Sequence, residues 1–213
     1  MNLLQKIIYD YRQFGLVVLI QHTTNAVLRP VFREKKSIVY QMTVAPVPTP
    51  ENVIEISKKS LEKYSIPEKD YILFLKNLEA GDRGFAYIVD NVIAGSGWIQ
   101  EQGEYVFGKV GRLRILRNMA ILKNLFVYPQ YRGRGIAAKL NQGQLAAIPQ
   151  KTAVVFIIPE NRYAIKNWIK FGMKPYLSIS MSSFLHGKWK LRSKLLDRDS
   201  DDLNIQKNLF THQ

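Results

Sequence analysis

The run Gln130-Tyr131-Arg132-Gly133-Arg134-Gly135-Ile136-Ala137 carries the clearest chemistry in this chain. Two glycines are interleaved with two arginines just after Pro129. They come just before a segment in which Ile136, Leu140 and Ala147 share one helical face. A helix N-terminus presents unpaired N–H groups and a partial positive charge. Gly133 and Gly135 lack Cβ atoms, so a ligand can approach the backbone closely. Arg132 and Arg134 add mobile positive charge. Such a turn is a receptor for a phosphate or pyrophosphate. The plainer alternative is a strand-to-helix turn with solvated arginines. A Walker loop is excluded, because G-x-x-x-x-G-K-[ST] is absent. In the dinucleotide pattern G-x-G-x-x-G the third position holds Ala138, a weaker fit.

The elements around this turn must place it. Upstream, residues 119–127 alternate as a strand, with Met119, Ile121, Leu125 and Val127 on one face and Lys123 interrupting; Pro129 ends the ladder. Downstream, residues 152–158 form a continuous apolar run, as in a strand buried on both faces. Asn161 caps the next helix, on which Ile165, Trp168, Ile169 and Phe171 recur, and Gly172 stops it. Earlier in the chain, residues 37–43 read as the first core strand. Thr49-Pro50-Glu51 reads as one helix start, and Ser65 with Glu68 as a capping box for a second helix bearing Tyr71, Phe74, Leu75 and Leu78. Residues 84–89 and 92–100 form a hairpin about Asp90-Asn91. Arg112 to Arg117 alternates cations with aliphatics, either a solvated strand face or a basic wall toward an anion. Two closing strands, 177–185 and 188–196, turn at His186-Gly187, and the tail 197–213 is expected to be mobile.

Residues 1–36 read as a separate extension. Leu3, Leu4, Ile7, Ile8 and Tyr11 recur at helical spacing, and Arg29, Arg33, Lys35 and Lys36 make its end basic. It reads as a helix packing on the domain or on a second subunit of a homodimer. The alternative is a basic amphipathic segment in peripheral contact with an acidic membrane surface. Its apolar run 14–20 falls far short of the roughly 20 residues that span a bilayer.

Composition narrows the classes. The 213 residues suffice for one domain with extensions, and 46% hydrophobic with 23% charged content is that of a globular protein. With no cysteine, disulfides, thiolate zinc sites and a cysteine nucleophile are excluded, which fits a cytoplasmic setting. His22, His186 and His212 are too scattered to suggest a metal. A net charge of +14 favours anionic partners. A nucleic-acid reading has only this charge behind it, so no nucleic acid is expected.

Gln130, Gly133 and Gly135 stand in register with [Q/R]-x-x-G-x-[G/A], the central motif of the GNAT acetyltransferase superfamily. Asn161, Ala164, Trp168, Gly172 and Met173 follow that family's N-x-x-A-x-x-x-Y-x-x-x-G-F. Over residues 37–196 the chain resembles this superfamily. The resemblance implies an α/β (α+β) fold with a mixed sheet of about seven strands, splayed between the fourth and fifth and flanked by about four helices. It implies N-acetyltransfer from acetyl-CoA, as co-substrate and without a metal, directly to a primary amine of a small acceptor. The basic surface hints at an anionic acceptor, such as a nucleotide-linked amino sugar. The pyrophosphate would lie on the amides of Arg132, Gly133, Arg134, Gly135, Ile136 and Ala137, beside Gln130. The pantetheine would run along Leu125, Phe126 and Val127, with the Val127 N–H on the thioester carbonyl. Asn161 and Trp168 complete the implied cofactor site. Glu101 and Glu104 are the candidate bases. Trp168 stands where many members have a tyrosine that protonates the thiolate, so either Tyr163 or Tyr128 becomes the candidate acid or the thiolate leaves unassisted. This departure also leaves open an alternative, an acyl-CoA-binding sensor with little or no turnover.

Overall fold

The computed structural model describes residues 32–108, 111–184, 188–197 and 209–211. An eight-stranded sheet forms the body, built from β1 (Phe32–Thr43), β2 (Val53–Ile56), β3 (Arg83–Val89), β4 (Val92–Gln100), β7 (Met119–Val127), β8 (Thr152–Ile157), β9 (Lys174–Phe184) and β10 (Lys190–Leu195). Its spatial order is β10-β9-β1-β8-β7-β4-β3-β2. Every pairing is antiparallel except β7 with β8. A smaller sheet, in the order β11-β6-β5, joins β5 (Glu104–Phe107), β6 (Gly111–Arg114) and β11 (Leu209–Thr211).

Alternation along the strands sorts the core into two faces. On β4, Ala94 and Ile99 enter the cluster built around Leu140, Leu145 and Trp168, while Ile93 and Trp98 enter the cluster with Leu61 and Phe74. Helices α3 (Ile136–Ala146) and α4 (Arg162–Lys170) therefore cover one face. Helices α1 (Lys58–Lys63) and α2 (Glu68–Glu79) cover the other, beside the small sheet, whose Phe107 and Leu113 pack with Tyr176 and Ile179. Phe74 meets Trp98 edge-on at 5.2 Å, and Trp98 in turn lies against Gly84, where a Cβ would come within 2.7 Å of its ring.

Several local expectations are corrected. The first strand begins at Phe32, because residues 32–36 pair with the far end of β9. Thr49-Pro50-Glu51 starts no helix. Asn52 turns left-handed (φ 62°), and Val53–Ile56, β-branched except at Glu55, pairs with β3, an extra strand beyond the seven expected. The first helix is capped instead by Ser57, which shares a full capping box with Ser60. Ser65 does not cap α2; its N–H donates to Asn91 O and its carbonyl accepts from Ile93 N–H, which draws it into the sheet. The basic alternation before the central strand becomes β6 of the small sheet, with Leu113 and Ile115 buried and Arg114 and Arg117 exposed. Residues 209–211 of the tail also pair there. The hairpin at Asp90-Asn91 holds, with both residues at positive φ (48° and 62°). The expectations for residues 1–31 and for the His186-Gly187 turn lie outside the described residues.

Candidate functional site

β7 and β8 run parallel and pair only at Met119 with Thr152, Ala120 with Ala153 and Ile121 with Val154. Beyond that point they part. β7 follows β4 as far as Val127 opposite Gly95, whereas β8 follows β1 as far as Ile157 opposite Ile38. The cause is local. Between Ser96–Phe126 and Trp98–Lys123 the register shifts, giving β7 one more residue than β4, and Asn124 adopts φ 54°. Such a bulge bends its strand and re-aims the side chains beyond it. Leu125 and Val127 therefore join the face of Ala120 and Leu122, not that of Met119 and Ile121 as simple alternation requires. Lys123 is not merely an interruption. Its ammonium reaches buried Asp82 at 2.9 Å and donates to Gln100 at 2.7 Å.

The opened gap has a directional donor at its edge. Tyr128 N–H donates to Ala94 O at 3.0 Å, toward β4. Successive N–H groups of a strand alternate sides, so the Val127 N–H points away from β4 into the gap.

The chain then makes one tight turn at Pro129–Tyr131 and passes through Gly133 (φ 80°) and Gly135 (φ 73°), the N-cap residue of α3. Both conformations are ones that side chains disfavour, and a Cβ at either position would meet nothing within 4 Å. The glycines are thus required by backbone shape, not by packing. Ala138 and Lys139 N–H both donate to Gly135 O. Among the described residues, the N–H groups from Gly133 to Ala137 meet no backbone carbonyl outside their own helix. The arginines flank this cradle. Arg132 Nε donates to Val127 O at 3.1 Å with its guanidinium over the Phe126 ring, and Arg134 lies over Tyr131. Lys139, on the first turns of α3, donates to the Tyr87 hydroxyl at 3.1 Å and holds that hydroxyl below its usual range, with Asn52 helping. Across the gap, Asn161 caps α4 by accepting from Ala164 N–H at 3.1 Å, which leaves its amide nitrogen as a donor. Ile158 at the end of β8 and Phe126 are exposed apolar groups at the mouth.

The structure brings together Gln130, Arg132, Gly133, Arg134, Gly135, Ile136 and Ala137 at one end of the gap, Leu125, Phe126 and Val127 along its edge, and Asn161 opposite, but the Arg132 N–H, expected on a pyrophosphate, instead donates to Pro129 O within the preceding turn. Trp168 does not line it; 5% exposed, it packs with Phe171 in the main core. The candidate bases lie elsewhere. Gln100 pairs with Ile121, six residues before Val127, so Glu101 sits about 20 Å down the strand at ~3.3 Å per residue. There Glu101 forms ion pairs with Arg83 and Lys151. Glu104, exposed, opens β5 of the small sheet. Tyr163, 69% exposed, stands on the solvent side of α4. Glu101 lies beside the start of the central strand, but the gap opens at that strand's other end. On the α1/α2 face two carboxylates carried no signal in the sequence, Asp82, which pairs with Lys123, and Asp70, which accepts from the Tyr128 hydroxyl. Of their partners, Lys123 stood out only as a lone cation in an apolar strand, and Tyr128 only as a candidate acid.

Residues 51–173 match the model of the acetyltransferase (GNAT) family. The chain belongs to that family. No curated protein matches it. Its fold is similar to that of a functionally unknown conserved protein from Staphylococcus epidermidis, at 9% identity and TM-score 0.50, covering 78% of this chain and 65% of that one. An acetyltransferase of the GNAT family from Colwellia psychrerythraea shares 19% identity at TM-score 0.45, covering 72% of this chain and 58% of that one. A GCN5-related N-acetyltransferase from Sphaerobacter thermophilus shares 16% at TM-score 0.45, covering 82% and 56%. The chain thus spans less than two thirds of the length of each of these three. Among the described residues no group of three or more acidic or histidine side chains could hold a metal, and no helix is long and apolar enough to cross a membrane.

Proposed function

We propose that this chain transfers an acetyl group from acetyl-CoA to the primary amine of a small acceptor. The observation behind this reading is the row of open N–H groups from Gly133 to Ala137 at the mouth of the β7/β8 gap, and strand alternation turns the Val127 N–H away from β4 toward that gap. The amides of residues 133–137, with Arg132 and Arg134, would hold the pyrophosphate, where charge-assisted bonds are strongest. Leu125, Phe126 and Val127 would line the pantetheine, and the Asn161 amide nitrogen would donate to it. Acetyl-CoA supplies an activated acyl group as a thioester. The chain supplies position and one preorganised donor, Val127 N–H, where negative charge grows on the carbonyl oxygen. The net charge of +14 favours an acceptor that also carries anionic groups, such as a nucleotide-linked amino sugar.

The test is release of free thiol from acetyl-CoA against a panel of primary amines that includes UDP-linked amino sugars. Multiple turnovers with any of them support transfer. Tight acetyl-CoA binding with no thiol release from any amine favours a sensor instead.

A further inference from the structure

Direct attack of an amine on a thioester poses two proton problems. The ammonium must lose a proton before nitrogen can attack, and the departing sulfur must gain one. Neither Glu101, Glu104 nor Tyr163 is placed for either step. One titratable pair is. Tyr128 directly follows Val127, and its hydroxyl donates to Asp70 Oδ2 at 2.6 Å. Asp70 lies in the first turn of α2, on the sheet face opposite α3. Both side chains are half-buried. The tyrosine is held from three sides, by its N–H on Ala94 O, its hydroxyl on Asp70 and its ring edge-on to Phe126 at 5.0 Å. The second carboxylate oxygen of Asp70 has no such tie to Tyr128, and the exposed face of Phe126 lies beside the pair.

Resting on the acyl-transfer reading, we propose that Asp70 and Tyr128 are the acid–base pair of the reaction and that the acceptor enters from the α2 side as a primary ammonium. Asp70 accepts a proton from the ammonium. The freed lone pair attacks the thioester carbon, a C–N bond forms and the C–S bond breaks. Sulfur leaves with the bonding electrons and takes the Tyr128 proton. The tyrosinate recovers a proton from the Asp70 carboxyl across their hydrogen bond, and the new amide nitrogen sheds its remaining extra proton to solvent. The coupling gives an order to these events. Burial and the Asp70 carboxylate together push the Tyr128 hydroxyl far above its usual range, so it keeps its proton at rest. Protonating Asp70 removes that negative neighbour and makes the hydroxyl a readier donor at the moment sulfur departs.

The experiment measures thiol release from acetyl-CoA with ethanolamine, spermidine, glucosamine and a UDP-linked amino sugar, alongside calorimetric acetyl-CoA binding and thermal unfolding. Asp70→Asn and Tyr128→Phe are each expected to lower kcat about 100-fold, within the usual span for general acid–base groups, with acetyl-CoA affinity and KM unchanged. The double variant should be no slower than the slower single one, because the pair acts as a unit. Asp70→Glu should recover part of the rate. Wild-type kcat in folded Asp70→Asn, effects that multiply in the double variant, or losses confined to Tm overturn the proposal. So does an intact chain that binds acetyl-CoA and releases no thiol with any of these amines. Failure of the intact chain to bind acetyl-CoA at all overturns the acyl-transfer reading itself, and the pair with it.

Discussion

Replacing Gly135 with alanine separates the two roles assigned to that residue. Its φ of 73° costs a residue with a Cβ about 1–2 kcal/mol relative to glycine. No neighbour lies within 4 Å of the added methyl, so no clash adds to this strain. For a chain of this size, each kcal/mol lowers Tm by roughly 2–4 °C, so a drop of about 2–8 °C is expected. The methyl group also stands at the N-cap of α3, beside the open N–H groups. Losing one charge-assisted backbone bond to a phosphate oxygen costs about 1.5–3 kcal/mol. That is a loss in acetyl-CoA affinity on the order of 10- to 100-fold. Gly172→Ala is the internal control, since Gly172 ends α4 at φ 91° and likewise has nothing within 4 Å of a Cβ. It should lose similar Tm and no affinity. Calorimetric titration with acetyl-CoA and CoA, with thermal unfolding alongside, on the wild type, Gly133→Ala, Gly135→Ala and Gly172→Ala reads both quantities. If Gly135→Ala binds like the wild type, or if Gly172→Ala weakens binding equally, the cradle argument is wrong.

Four further outcomes are expected. Glu101→Gln, which weakens the ties to Arg83 and Lys151, should lower Tm by a few degrees and leave thiol release unchanged; a hundredfold loss of kcat would restore Glu101 as the base. Asn141 is wholly buried on α3 with neither amide atom bonded, so Asn141→Leu should raise the urea midpoint, and a lower midpoint would point to a buried partner for that amide. Gly84→Val drives a side chain into the Trp98 ring and should cost about 3 kcal/mol or more, read as a loss of soluble folded protein or a large fall in urea midpoint. The Tyr128 hydroxyl is raised above 10.0 in the folded chain, so its contribution to stability is complete below pH 10 and lost as pH climbs beyond it. Urea midpoints at pH 9 and 11 should therefore fall less in Tyr128→Phe than in the wild type, and equal falls would contradict the tie to Asp70.

What residue types and spacing determined here was local. Glycines at 133 and 135 announce backbone that side chains avoid, Asn161 announces a helix start, Gly172 announces a helix end, and the pair Asp90-Asn91 announces a hairpin. Each of these depends on a few contiguous residues, and each holds in the structure. The parting of β7 from β8 was implied by family resemblance, but the residue that causes it, Asn124 at a bulge, leaves no pattern of its own. One added residue in a strand flips every later side chain, which is why Leu125 and Val127 changed faces. Val53–Ile56 was hidden by Pro50, which reads equally as a turn or a helix start until β3 offers a pairing edge. The pairing proposed to handle the protons lay furthest from reach. Asp70 and Tyr128 are 58 positions apart, brought together because Phe74 docks against Trp98 and so lays the first turn of α2 beside the end of β7. Contacts between distant segments are decided by how helices seat on the sheet. That seating is a property of the assembled core and not of either segment.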